Sequence, residues 1–118
     1  GGYAEQALAP AARTIKLPEG TDATTGAAAL LQGMTAHSLV YGSYPLKSED
    51  RVLVHAGAGG VGLLLIQMAR MLGAYVYATV STDQKAELAS EAGANKVIIY
   101  TRQDFAEEIN KETAGEGV

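Results

Sequence analysis

The feature that most constrains this chain is a glycine-rich turn set between a short apolar run and a helical pattern. Arg51-Val52-Leu53-Val54-His55 leads straight into Gly57-Ala58-Gly59-Gly60-Val61-Gly62, which has G-x-G-x-x-G spacing. Beyond it Val61, Leu64, Leu65, Met68 and Leu72 recur at helical intervals, with Gln67 and Arg70 on the other face. That pattern predicts a helix burying one stripe, and Gly73 stops it. Residues 75–80 are β-branched and aromatic and read as a strand, which closes a β-α-β unit of about 30 residues.

Each glycine has a physical use in such a turn. Gly57 permits a tight turn, Gly59 lets backbone approach a pyrophosphate, and Gly62 allows the helix to pack closely on the strand. The helix start then offers unpaired N–H groups and the positive end of its dipole to phosphates. The reading is a dinucleotide-binding turn. Its plainer rival is a glycine-rich turn that binds nothing, and 14 Gly in 118 residues make such turns common. The flanking strand and helix favour the first.

The end of the second strand indicates which dinucleotide. A site for NAD usually has a carboxylate there, about 20 residues beyond the glycines, to accept from the ribose 2′-hydroxyl. Here the place is held by Ser81 and Thr82, with Lys85 one helical turn later. Neutral hydroxyls plus a cation suit a 2′-phosphate, hence NADPH. Two other readings stand beside this: Ser81 and Gln84 form a capping box, and Lys85 is an ordinary solvated lysine. Asp83 argues for NAD, since its carboxylate could serve an unphosphorylated ribose.

The rest of the chain is simply organised. Residues 3–9 and 14–17 read as short strands interrupted by Pro10 and ended by Pro18. Thr21 caps an alanine-rich helix over 22–31, and a second helix runs over 35–41 to Gly42, Ser43 and Pro45. After the β-α-β unit come a helix over 83–92 stopped by Gly93, a strand over 96–100 and a helix over 104–113. Glu107, Glu108 and Glu112 are expected on its solvated face. His55 is expected to be a packed or hydrogen-bonded residue at a strand end. Thr35 by itself reads as a helix-start residue, and Tyr100 as the end of a buried strand with its hydroxyl at the wet edge.

Composition excludes several classes. The chain is 47% hydrophobic and 19% charged with a net charge of −4, which leaves no basic footprint for nucleic acid. The longest apolar run, residues 61–66, is too short to span a bilayer, and the chain opens with no charged region and cleavage site. A cytoplasmic location is expected. With no Cys and only His37 and His55, no metal site is expected.

The segments HAGAGGVG, STDQKAELASEAGA and VIIYTRQDF, together with GGYAEQALAPA and LLQGMTAHSLV, resemble the quinone oxidoreductase (zeta-crystallin-like) branch of the medium-chain dehydrogenase/reductase superfamily. The resemblance covers essentially the whole chain. It implies an α/β fold: a partial Rossmann-type doubly wound parallel sheet, β-α-β-α-β-α, preceded by short strands and linking helices from a GroES-like substrate domain. The implied division is 1–20 for the substrate-domain remnant, 21–46 for inter-domain helices and 47–118 for the first half of the nucleotide domain. Gly59, Gly60 and Val61 would cradle the pyrophosphate. Ser81, Thr82, Lys85 and Tyr100 would surround the 2′-phosphate, and Thr35 would lie near the nicotinamide carboxamide.

The resemblance further implies NADPH-dependent hydride transfer to a quinone or an α,β-unsaturated carbonyl, in a homodimer. Zinc alcohol dehydrogenases of the superfamily carry a metal-binding cysteine where this chain has Gln32, so zinc-independent chemistry is expected. No nucleophile-and-base pair is visible, and the catalytic residues are not identified. Alternatives of other kinds are a non-enzymatic, crystallin-like NADPH-binding protein and an NAD-dependent alcohol dehydrogenase-like enzyme. Family members are longer, so the chain is expected to be a fragment or to have its open 51–55 strand edge covered by another chain.

Overall fold

The computed structural model describes residues 2–118. Three parallel strands form its centre: β1 (Arg51–Val54), β2 (Tyr75–Val80) and β3 (Lys96–Ile99), in the order β1-β2-β3. Val54 lies opposite Ala78, and Val80 opposite Ile99. Parallel strands need crossover connections, here α2 (Gly60–Met71) and α3 (Asp83–Glu91). The expected α/β sheet of Rossmann type is present.

β2 is the hub, buried from Val76 through Val80 because it has a strand on each side and helices over both faces. On one face Val76, Ala78 and Val80 join Val54 of β1, Ile66 and Ala69 of α2 and Ala89 of α3. On the other, Tyr77 packs with Ile98 and with Ile109 of α4 (Phe105–Glu112). Side chains alternate across a strand, so β2 feeds both cores. The most buried stripe of α2 is Gly62, Ile66 and Ala69. It lies one notch away from the expected Val61, Leu64, Leu65, Met68 and Leu72, because small residues seat a helix closer to a sheet than leucines do.

Two expectations of local structure fail. Residues 3–9 and 14–17 form no strand; they are exposed, with a short 3-10 turn at Ala11–Arg13. A strand needs a ladder partner, and Tyr3 and Leu8 touch too little to supply one. The radius of gyration, 17.0 Å, exceeds the about 13 Å of a compact 100-residue domain, since this segment stands away from the sheet. The two alanine-rich helices are one, α1 (Ala23–His37), capped by Asp22 and not Thr21; the Asp22 carboxylate accepts from Thr25 N–H at 3.0 Å. A glycine inside a helix costs only about 1 kcal/mol, so Gly33 does not break it, and α1 runs on into a π-helical turn at Ser38–Ser43. Glu112 is exposed, as expected, and also makes polar contacts. It accepts from the Tyr75 hydroxyl at 2.8 Å and pairs with Lys96 at 3.6 Å, which ties the end of α4 to the starts of β2 and β3.

β1 is an edge strand, with Val52 and Leu53 half-buried. Its first residue, Arg51, pairs with Glu116 at 2.8 Å.

Two measurements test this packing. Ile66→Ala should lower unfolding free energy by about 2–5 kcal/mol in a urea titration, since Ile66 is fully buried under Ala78 and Gly57. The hydrogen bond to Glu112, with partial burial and the carboxylate's charge, pushes the Tyr75 phenol from 10.0 up to about 12. A raised value means that the neutral phenol is favoured in the folded state. Its contribution is therefore fully present below pH 10 and is lost as pH rises toward about 12. Tyr75→Phe should flatten the alkaline fall of the denaturation midpoint across that window.

Candidate functional site

Because the strands are parallel, their C-terminal ends all open on one side of the sheet, where ligands of such folds bind. Three short connections meet there. After β1 the chain turns sharply: Ala56 is left-handed at φ 51°, and its carbonyl accepts from Gly59 N–H at 2.8 Å. A non-glycine residue in that region is strained, as is common at functional sites. The sequence pattern had put this demand on Gly57. Gly57 instead is needed for space, since a Cβ there would lie 2.9 Å from that of Ala78 and 3.4 Å from Ile66 Cδ1. Its N–H donates to the Thr79 carbonyl at 3.0 Å, fastening the turn to β2.

Gly59 caps α2 from an extended conformation, and the helix's first bond is Leu63 N–H to Gly59 C=O at 2.9 Å. The N–H groups of Gly60, Val61 and Gly62 therefore lie ahead of the ladder, as a phosphate cradle requires. A Cβ on Gly62 would lie 2.4 Å from the Ala56 carbonyl oxygen, so the close approach expected of this glycine is real. A Cβ on Gly60 would fall 2.2 Å from the Gln32 Oε1 atom. Gln32 of α1 thus packs on the turn, a contact that the sequence pattern did not reveal.

Beside the turn is a cavity of about 250 Å³ lined by Ala56, Ala58, Gly59, Val80, Ser81, Lys85 and Tyr100. Ser81, Lys85 and Tyr100 are thereby brought together with the glycine turn. Lys85 Nζ donates to Ser81 Oγ at 3.2 Å, which places an ammonium at the cavity rim. Thr82 lies just outside: its hydroxyl accepts from Lys85 N–H at 3.3 Å and caps α3. The capping box of Ser81 with Gln84 is therefore not formed, because the helix starts one residue later than that pairing needs. Thr35 is not among the lining residues. It sits inside α1, not at a helix start, one turn on from Gln32, and donates to the Leu31 carbonyl at 2.8 Å.

Tyr100 and Ala56 also line a neighbouring cleft of about 380 Å³, with His55, Thr79, Gln103, Asp104 and Phe105. Tyr100 follows β3 and is half exposed rather than buried. His55 Nδ1 lies 2.9 Å from Thr79 Oγ1, and its ring meets Phe105 edge-on at 5.0 Å, the packed and hydrogen-bonded role expected for it. A larger hollow, about 760 Å³, lies along β1 beside Glu116–Val118. It has no helix start and no cradle of N–H groups, so it is not the phosphate site.

The residues present fit a phosphorylated dinucleotide: free helix-start N–H groups, a glycine-lined approach, and a cation one step away. Among the described residues no three His, Cys, Asp or Glu side chains converge, and the His37 ring lies 4.6 Å from that of Tyr41.

Comparison with known proteins follows this geometry. Residues 60–118 match the family model described as zinc-binding dehydrogenase. The chain is 43% identical over 120 residues to a 2-haloacrylate reductase of Burkholderia sp., across 100% of this chain and 36% of that protein. It is 38% identical to quinone oxidoreductase 1 of Escherichia coli, again across 100% of this chain and 36% of the relative. Among solved structures, mycobacterial Rv1454c complexed with NADPH superposes with a TM-score of 0.87 at 49% identity, over 93% of this chain and 34% of that one. Escherichia coli quinone oxidoreductase complexed with NADPH gives 0.81 at 41% identity, over 85% and 31%. The chain thus spans about a third of the length of these proteins.

Gly62→Ala should force the turn and α2 apart. The expected loss is about 1–3 kcal/mol of stability, read from the denaturation midpoint, with nucleotide binding weakened in parallel. Gly59→Ala, whose Cβ would lie 3.1 Å from the same oxygen, should cost less stability.

Proposed function

Because this chain belongs to the zinc-binding dehydrogenase family, in the quinone oxidoreductase branch of the medium-chain dehydrogenase/reductase superfamily, we propose that it is the cofactor-binding part of an NADPH-dependent reductase. The observation that carries this reading is the Ser81–Lys85 pair at the rim of the glycine-lined cavity. A hydroxyl held beside an ammonium suits a 2′-phosphate, where charge-assisted hydrogen bonds are strong.

In this reading the N–H groups of Gly60, Val61 and Gly62 receive the pyrophosphate, with Gly57 and Gly59 shaping the turn that presents them. Ser81 and Lys85 hold the 2′-phosphate, Tyr100 walls the adenosine side, and Thr82 keeps Lys85 in place through its cap. Thr35, on the helix that packs against the turn, is assigned to the carboxamide end. When bound, the reduced nicotinamide supplies the hydride. The acceptor is a quinone or an α,β-unsaturated carbonyl, in keeping with the relatives named quinone oxidoreductase and 2-haloacrylate reductase.

Zinc-independent chemistry is part of the proposal. Its support is the family likeness: Gln32, which packs against Gly60, stands where zinc alcohol dehydrogenases carry a metal-binding cysteine. The divisions at residues 20 and 46, a homodimeric assembly and a cytoplasmic location rest on the family likeness. No helix among the described residues is long and apolar enough to cross a membrane.

Calorimetric titration with NADPH and NADH tests the reading. Saturable binding that favours NADPH is expected, and Lys85→Ala should weaken NADPH about tenfold or more, the scale of one charged hydrogen bond, while leaving NADH unchanged. Equal losses for both nucleotides would overturn the 2′-phosphate assignment.

A further inference from the structure

Asp83 opens α3 two residues before Lys85, and its carboxylate is the one group near the cavity that argues for an unphosphorylated ribose. It is not free. Arg102 Nη2 meets Asp83 Oδ1 at 2.5 Å across the top of the sheet, with both side chains largely exposed. Arg102 comes from the connection after β3, and that connection is held tightly. Thr101 Oγ1 donates to the Ser81 carbonyl at 3.1 Å. Arg102 N–H and Gln103 N–H donate to the Ile99 carbonyl at 2.9 and 3.0 Å, and Gln103 Oε1 accepts from Ile99 N–H at 3.1 Å. The same short loop carries Tyr100 into the cavity wall beside Ser81 and Lys85.

From this arrangement, and resting on the NADPH reading above, we propose that Arg102 is a specificity-determining residue: by engaging Asp83 it withdraws the competing carboxylate and leaves the rim of the cavity positive toward a 2′-phosphate. With Arg102 present, Lys85, Asp83 and Arg102 together carry one net positive charge. Without it they carry none, and an unpaired carboxylate stands two residues from the lysine that is meant to hold the anion. Specificity is a difference of affinities, and removing a repulsive group serves it as well as adding an attractive one. A stabilising role is the lesser explanation, since exposed ion pairs contribute little to folding.

The test is a double-mutant cycle on this chain, titrating NADPH and NADH at fixed low salt, with circular dichroism as the check on folding. Arg102→Ala should reduce the preference for NADPH about fivefold, through weaker NADPH and tighter NADH binding. Arg102→Ala combined with Asp83→Asn should restore most of that preference, because no carboxylate is left to withdraw. Unchanged preference in Arg102→Ala overturns the proposal. So does failure of the double variant to recover, which would mean that Arg102 acts by anchoring the loop. If the unsubstituted chain itself shows no preference for NADPH, the cofactor reading fails first, a result distinct from either of these.

Discussion

The close approach of α2 to the turn after β1 is the contact on which the rest depends. Gly62 leaves no space for a Cβ against the Ala56 carbonyl oxygen, so the first turn of the helix sits directly on the chain that leaves the strand. That seating drives Ile66 and Ala69 down onto Val76 and Ala78, and it aims the helix-start N–H groups at the open end of the sheet. One steric fact thus sets both the larger core and the exposed helix start. The left-handed Ala56 is its local cost, a strain of about 1–3 kcal/mol that burial nearby must offset.

Parallel topology does the remaining assembly. Each strand delivers the first residues of its following loop to the same edge, so Ala56, Ser81 and Tyr100, distant in sequence, wall one cavity. The second face of the sheet has an independent core of Tyr77, Ile98 and Ile109, and Glu112 clamps the far end of α4 to β2 and β3. The strand starts are therefore stapled by polar contacts while their ends stay open for ligand. At the open end Lys85 contacts Ser81, and Asp83 pairs with Arg102.

Much of this was legible beforehand where local pattern and tertiary demand agree. β2 matches its expected bounds because a β-branched and aromatic run between Gly73 and the Ser81–Thr82 pair has little other choice. Agreement failed where a pattern lacked a partner or depended on distant packing. Residues 3–9 alternate like a strand, yet alternation supplies no ladder. The pair of helices around Gly33 fused because continuing a helix through one glycine costs less than making two new ends. The stripe of α2 shifted by a notch because contact with a sheet rewards small residues, which hydrophobic periodicity undervalues.

The sequence by itself determined the parallel α/β plan, the place of the glycine turn and the presence of hydroxyls and a lysine at the end of β2. Each of these is written in a short stretch of chain, so local sterics and hydrogen bonding express it. Only the tertiary structure decided that Ala56 rather than Gly57 takes the left-handed turn, that Gln32 packs on Gly60, and that Asp83 is held by Arg102. Those contacts join residues from separate elements, and their existence depends on how helices and loops are seated on the sheet, which no local spacing encodes.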